Sequence, residues 1–463
     1  MPGRIRVLAL AAAVTVVSGA ASAQTMTESL AAAYSTNPQL NVARAQLRAI
    51  DENIAIARSG NRPLVQATVE QAYTTSRAYL NDLGSNTGSV NNQVAFGVQL
   101  TQPLFQGFQV RNNIRQAEAA VRAQRSQLES IEQSILLATA NAFIDVLRYR
   151  EIVSLRRNDV EFLGEQVRAA QDRFEVGEGT RTDVSQAEAA RAESQTLLAQ
   201  AEANLEAARA AYQRQTNLVA RDLRDNYNVE RLLPQTLASS VQIGLQTHPD
   251  IISALHDVDT NIFNVASLEG QFLPTLSATA SANSTLNAFT NENSSNPRRR
   301  DSASVGLNLT IPIYQRGQAS AQVRQAKESL GASRLQVDLT RNIVRQSIAS
   351  DWATFQAALR SIFNAQTGVF SAQLALQGVI EEQRVGQRTT LDVLDAQRTL
   401  ISNQITLVTA QRTKDAAAFQ VLADIGRLNV RNLGLNIDQL YDPKEHADAV
   451  RGKWYGTKTP DGR

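Results

Sequence analysis

The chain has 463 residues and a formal net charge of +2, with both signs spread along it, so neither a basic stripe for nucleic acid nor an acidic solvating tail is present. It has no cysteine, which excludes disulfide stapling and an acylated N-terminal cysteine as a membrane anchor. Aromatic residues are only 5% of the chain, too few for one large compact core, whereas Ala, Gln, Arg and Glu in a seam of about 3.5-residue period favour long helices.

Residues 1–23 read as an export signal: Arg4 and Arg6 precede an apolar run from Val7 to Val17 and a small-residue Ala21-Ser22-Ala23 cleavage pattern. The mature chain is expected to begin near Gln24. The apolar run is about 11 residues, against the roughly 20 that a spanning helix needs, and no later stretch comes closer. Membrane attachment must then come from the fold itself.

The chain next repeats itself. Asn37-Pro38 recurs as His248-Pro249 and Pro63 as Pro274, at an offset of 211 (249 minus 38). Pro103-Leu104-Phe105-Gln106 recurs as Pro312-Ile313-Tyr314-Gln315, and Val176-Gly177 with Thr180, Asp183 and Val184 as Val385-Gly386 with Thr389, Asp392 and Val393, at 209 (312 minus 103). This internal tandem repeat divides the mature chain into units 24–235 and 236–430, with a polar, mobile C-terminal extension over 431–463.

Each unit reads as a helix of about 22 residues, two strands around a polar loop, a very long helix, a Gly-containing turn and a helix of about 38 residues. In the first unit these are Pro38–Ser59, Val65–Tyr79 with Val94–Leu100, Gln109–Phe174 and Thr182–Thr216. The long helix carries a heptad seam at Ile114, Ala117, Val121, Leu128, Ile131, Ile135 and Ala138, with Gln124 in step. Val323, Ala326, Leu330, Ser333, Val337, Thr340 and Val344 repeat it. About 66 residues of helix span roughly 100 Å, and the two shorter helices stacked end to end nearly match that length. Each unit therefore supplies two staves.

Ala303, Val305, Leu307, Leu309 and Ile311 alternate with Ser302, Ser304, Gly306, Asn308 and Thr310, and Val94, Phe96, Val98 and Leu100 do the same against Ala95, Gly97, Gln99 and Thr101. One apolar and one polar face suit a transmembrane β-barrel, with 81–92 and 285–301 as long outer loops and Arg298-Arg299-Arg300 as a solvated tip. Four strands cannot close, and an open edge is not tolerated in hydrocarbon. Three chains would give twelve strands and twelve helices around one axis; two would give an eight-stranded barrel filled by side chains. The expected fold is mainly α with transmembrane β: a trimeric helical barrel of twelve helices continuous with a twelve-stranded outer-membrane β-barrel, four strands per protomer.

The residues at this point resemble the TolC-like outer-membrane efflux family. The resemblance rests on Asn37-Pro38, the strand exits Leu100-Thr101-Gln102-Pro103-Leu104-Phe105 and Leu309-Thr310-Ile311-Pro312-Ile313-Tyr314, and Gly386-x-Arg388-Thr389-x-x-Asp392-Val393-Leu394-Asp395-Ala396, and runs from Thr25 to Leu428. It implies a homotrimer embedded in outer-membrane lipid, a periplasmic tunnel closed at its far end, and recruitment by periplasmic adaptors and inner-membrane ABC or proton-driven pumps in type I secretion or multidrug efflux. The missing cysteine places the chain with non-acylated relatives.

Asp392 and Asp395 lie three apart after the Gly386 turn and face the same way. In a trimer they would form stacked carboxylate rings that attract cations at the constriction, as similar residues do in the family. Helix capping is the competing account of Asp392 and of Asp183, since Thr389 and Thr180 stand three residues before them. Asp395 has Gln186 as its first-unit counterpart, so the shared helix start does not demand an acid there. The resemblance also implies that Arg388 and Asp183 lock the closed mouth, with Gln383 where the family has a Tyr. His248, His256 and His446 have no metal-ligand spacing and no catalytic motif stands out, so neither enzyme activity nor a cofactor is expected. A periplasmic coiled-coil adaptor or scaffold that forms no pore is the alternative reading.

Overall fold

The structure, a computed structural model, describes residues 24–79, 86–224, 227–287, 298–437 and 440–460. The expected export signal lies outside them. The first unit contains β1 (Gln24–Thr25), α1 (Met26–Thr36), α2 (Pro38–Ser59), β2 (Leu64–Tyr79), β3 (Asn86–Gln106), α3 (Gln109–Glu175), α4 (Arg181–Thr216) and β4 (Leu223–Arg224). The second contains α5 (Leu237–Thr247), α6 (Pro249–Glu269), β5 (Thr275–Asn287), β6 (Arg299–Thr310), α7 (Gln318–Arg384) and α8 (Thr390–Asp424), followed by the short α9 (Val430–Leu433) and α10 (Glu445–Val450).

Both long helices have 67 residues. At their starts two consecutive residues adopt left-handed backbone, Gly107-Phe108 in one unit and Arg316-Gly317 in the other, so strand turns into helix by the same device twice. The starts of α2 and α6 also match: Asn37 Oδ1 accepts from the Gln39 and Leu40 amides, and His248 Nδ1 from that of Asp250, each ahead of a first-turn proline.

The helices form four staves. In one half the order is α2, α3, α6, α7; in the other, α4 continues the line of α2 and α8 that of α6. Thr36 Oγ1 donates to the Thr216 carbonyl at 3.1 Å and Asn37 Nδ2 to that of Gln215 at 3.0 Å, which seats the start of α2 on the end of α4. The α7 seam is buried at Val323, Ala326, Val337 and Val344, and the α3 seam at Val121, Leu128 and Ile135. Helix α3 buries a second row, including Ala119, Ala123 and Ala140, because it is flanked on both sides. Apolar α7 residues Leu335, Leu339, Ile343, Phe363, Phe370 and Leu374 remain exposed on an edge stave.

The largest core girdles the joints, with Leu30, Phe143, Tyr212, Ile348, Phe419 and Leu422 fully or nearly fully enclosed. Helices α1 and α5, absent from the sequence reading, cover it. The tail also differs from the expected mobile extension. Ala447 and Val450 of α10 are buried, Arg451 Nη2 donates to Glu118 Oε1 at 2.6 Å, and the Arg62 guanidinium lies 4.8 Å from the Trp454 ring. Apolar residues at 447 and 450, one turn apart, suffice to dock a short helix on α2.

The four-stranded antiparallel sheet has the order β2-β3-β5-β6, with β2 and β6 at its edges. Its register aligns Val65 with Leu100, Ala280 with Leu100 and Val305, and Ala278 with Leu307, so one face is apolar across all four strands. Gln99, Ser281 and Ser304 share the other face, where the two serine hydroxyls lie 2.9 Å apart. Strands occupy parts of both expected loops, since β3 begins at Asn86 and β6 at Arg299. Above the apolar band each strand still satisfies its backbone against its partner and needs no apolar face. At the other end a register shift between Pro103 and Phe105 absorbs the proline, which cannot donate to the ladder. Among the described residues no helix is long and apolar enough to cross a membrane.

Candidate functional site: the hairpin mouth

The turns joining α3 to α4 and α7 to α8 form the far end of the staves. Both are closed alike: the Gly177 amide donates to Phe174 and that of Glu178 to Arg173, while Gly386 donates to Gln383 and Gln387 to Glu382. The glycines stand at φ +83 and +79, which only glycine adopts without strain, so each long helix ends sharply there.

Each following helix opens with a capping box. Asp183 Oδ2 accepts from the Thr180 amide at 3.0 Å and hydroxyl at 2.6 Å, and Asp392 Oδ2 from those of Thr389 at 2.9 and 2.8 Å. The Thr389 amide bond, then the hydroxyl bond, hold the Asp392 carboxyl below the usual carboxylate range. Both acids are thus helix starters in the protomer.

Asp395 is different. It is exposed and lies outside the capping box, and of its groups the backbone carbonyl accepts from the Thr399 hydroxyl at 2.9 Å. Arg388 Nε donates to Glu382 Oε2 at 2.8 Å, and this bond raises the guanidinium pKa further. Within the protomer Arg388 is therefore partnered by Glu382, and Asp183 by Thr180. Gln383 is buried and donates Nε2 to Thr390 Oγ1 at 3.3 Å, tying the end of α7 to the start of α8.

The sequence reading missed the polar contacts that fix α8 against the first unit. Arg412 grips the Asp145 carboxylate with two bonds of 2.9 and 3.2 Å, Arg398 meets Glu193 at 3.0 Å, and Gln397 donates to the buried Asp159 at 2.7 Å. The last joins residues 238 apart, a span over which no local sequence signal reaches. No group of three or more metal-binding side chains occurs among the described residues of the protomer.

The sequence profile of a family described as "Outer membrane efflux protein" matches residues 29–217 and 241–427, one stretch in each unit. The chain is 42% identical over 452 residues to the outer membrane efflux protein BepC of Brucella suis biovar 1 (strain 1330), spanning 97% of this chain and 95% of that protein. It is 27% identical over 412 residues to the outer membrane protein TolC of Escherichia coli (strain K12), spanning 86% and 81%. The Campylobacter jejuni CmeC outer membrane channel superposes with a TM-score of 0.75 at 17% identity, covering 92% of this chain and 89% of that one. At that identity the likeness shows a shared fold.

Proposed function

Because the chain belongs to the outer membrane efflux protein family, we propose that Asp392 and Asp395 line the far mouth of its conduit as stacked carboxylate rings, with Arg388 and Asp183 as the lock of the closed mouth. The protein is an outer-membrane channel-tunnel reaching into the periplasm, where it exports cargo in type I secretion or multidrug efflux. It works as a homotrimer with a periplasmic adaptor and an inner-membrane pump. Such a wall guides cargo and needs no catalytic chemistry.

The exposure of Asp395 carries the ring reading. Its neighbour Asp392 is spent on a cap, whereas Asp395 presents a carboxylate that the helix start does not use. An adaptor or scaffold without a pore is disfavoured by the apolar sheet face, on which Val305 and Leu307 are 88% and 73% exposed.

The test is electrical. Asp395→Asn keeps size and fold but removes a charge from every protomer, so cation selectivity and multivalent-cation block in planar bilayers should fall sharply. Asp183→Asn leaves both rings intact, so it should keep selectivity and block while raising conductance as a member of the lock. Wild-type selectivity in Asp395→Asn channels would sink the ring. For the lock, Arg388→Ala should raise conductance; unchanged conductance in assembled trimers would remove Arg388 from it.

A further inference from the structure

Sixteen residues before the end of α3 (175 minus 159), the Asp159 side chain lies inside the bundle, 6% exposed. Ser194 of α4 donates Oγ to its Oδ2 at 2.7 Å, and Gln397 of α8 donates Nε2 to its Oδ1 at 2.7 Å. Ser194 and Gln397 are themselves 3% and 6% exposed. One buried carboxyl group thus ties three helices drawn from both units.

The second unit lacks this contact at the matching place. At the offset of 209, Asp159 corresponds to Gly368 (368 minus 159) and Ser194 to Asn403, whose amide instead reaches the Gly368 carbonyl at 3.3 Å. Gln397 corresponds to Glu188, which is exposed. The repeat symmetry is broken where α8 crosses onto the first hairpin, two residues beyond Asp395.

A buried polar group without a partner is costly, so α8 cannot slide or rotate away from α3 without stranding Asp159 Oδ1. From this geometry we infer that Asp159 is a positioning residue which, through Gln397, sets the height and rotation of α8 and so holds the mouth carboxylates in their closed arrangement. The inference rests on the reading that Asp392 and Asp395 line the mouth. Charged neighbours are few: Arg156 on α3, and Glu193 of α4 paired with Arg398 of α8, line the same groove as Asp395.

The test uses the full chain as purified trimers in planar bilayers. Gln397→Leu withdraws the donor at similar size and should shift the open-to-closed ratio by roughly 5- to 150-fold toward open. Gln397→Glu sets two carboxyls face to face, so the contact survives only while one is protonated, and open probability should climb more steeply with pH than in the parent protein. The double variant Asp159→Asn with Gln397→Glu exchanges donor and acceptor and should restore the parental pH profile and closure. Parental gating at every pH in assembled Gln397→Glu and Gln397→Leu trimers would overturn the inference. If the single variants do not assemble, the double variant must restore trimers, and its failure would overturn it equally. Ion selectivity distinguishes this contact from the ring. Loss of gating control with parental selectivity in Asp395→Asn would sink the ring and leave the positioning role of Asp159 standing.

Discussion

Thr247 donates its hydroxyl to the Ile425 carbonyl across 2.7 Å, fastening the start of α6 to the end of α8. The Thr36–Thr216 bond does the same in the first unit. Beside Thr247, Gly426 stands at φ +73, and a β-carbon there would come within 2.6 Å of the Thr247 carbonyl oxygen. Gly426→Ala should therefore cost about 1–3 kcal/mol, against about 0.5–1.5 kcal/mol for Thr247→Val. Thermal unfolding of the detergent-purified trimer checks the order, and equal melting temperatures for both variants and the parent would refute the joint.

A charge on the open edge of α7 should block assembly. Leu339 and Phe370 are 51% and 70% exposed in the protomer and need a neighbouring subunit to cover them. Leu339→Glu and Phe370→Glu should yield monomers with intact helicity, read by light scattering and circular dichroism. Trimers of normal stability would show that this face is not in the seam.

Acidity should tighten the girdle. Burial first, then the neighbouring Asp351 carboxyl, raises the pKa of Asp424 to about 7. Gln420 donates to its Oδ1 at 3.1 Å, while Oδ2 is buried with no donor, so a bond to Asp351 requires a shared proton. The folded state then binds more protons than the unfolded one, and the stabilisation is present below pH 4 and lost as pH rises through about 7. Asp424→Asn should flatten the decline in melting temperature between pH 5 and 8 without lowering stability at the alkaline end. A profile as steep as the parent's would exclude the pair as its source.

The tail should behave as a docked strap. Val450 is fully buried, and His446 Nδ1 stands 3.4 Å from the fully buried Asp51 carboxylate. Val450→Asp should release the strap to limited proteolysis after residue 440 while trimers persist. Unchanged protease resistance would show that the helix seats by other means.

Much of the fold is legible because its signals are local or periodic. Gly177 and Gly386 announce their turns, and the seam at Val121, Leu128 and Ile135 announces a long helix. Sheet register follows from alternation, since a shift by one residue would turn Val305 and Leu307 to the wet face. What stays hidden is pairing between distant polar residues. Nothing near Asp159 indicates that its partner is Gln397, and Arg388 carries no mark that Glu382 rather than Asp183 holds it within the protomer. The docking of α10 is hidden too, because Ala447 and Val450 give too short an apolar pattern to stand out in a polar tail.

Strand order and stave order coincide: β2 follows α2, β3 leads into α3, β5 follows α6 and β6 leads into α7, so the same two borders of the chain are open from the sheet to the hairpins. A newcomer must then match its neighbour along the whole length at once. A strand border half joined in lipid has no tolerable resting state, because its amides and carbonyls would face hydrocarbon. Maturation should accordingly be a concerted encounter of protomers, steeply dependent on their concentration, with insertion and closure as a single kinetic event.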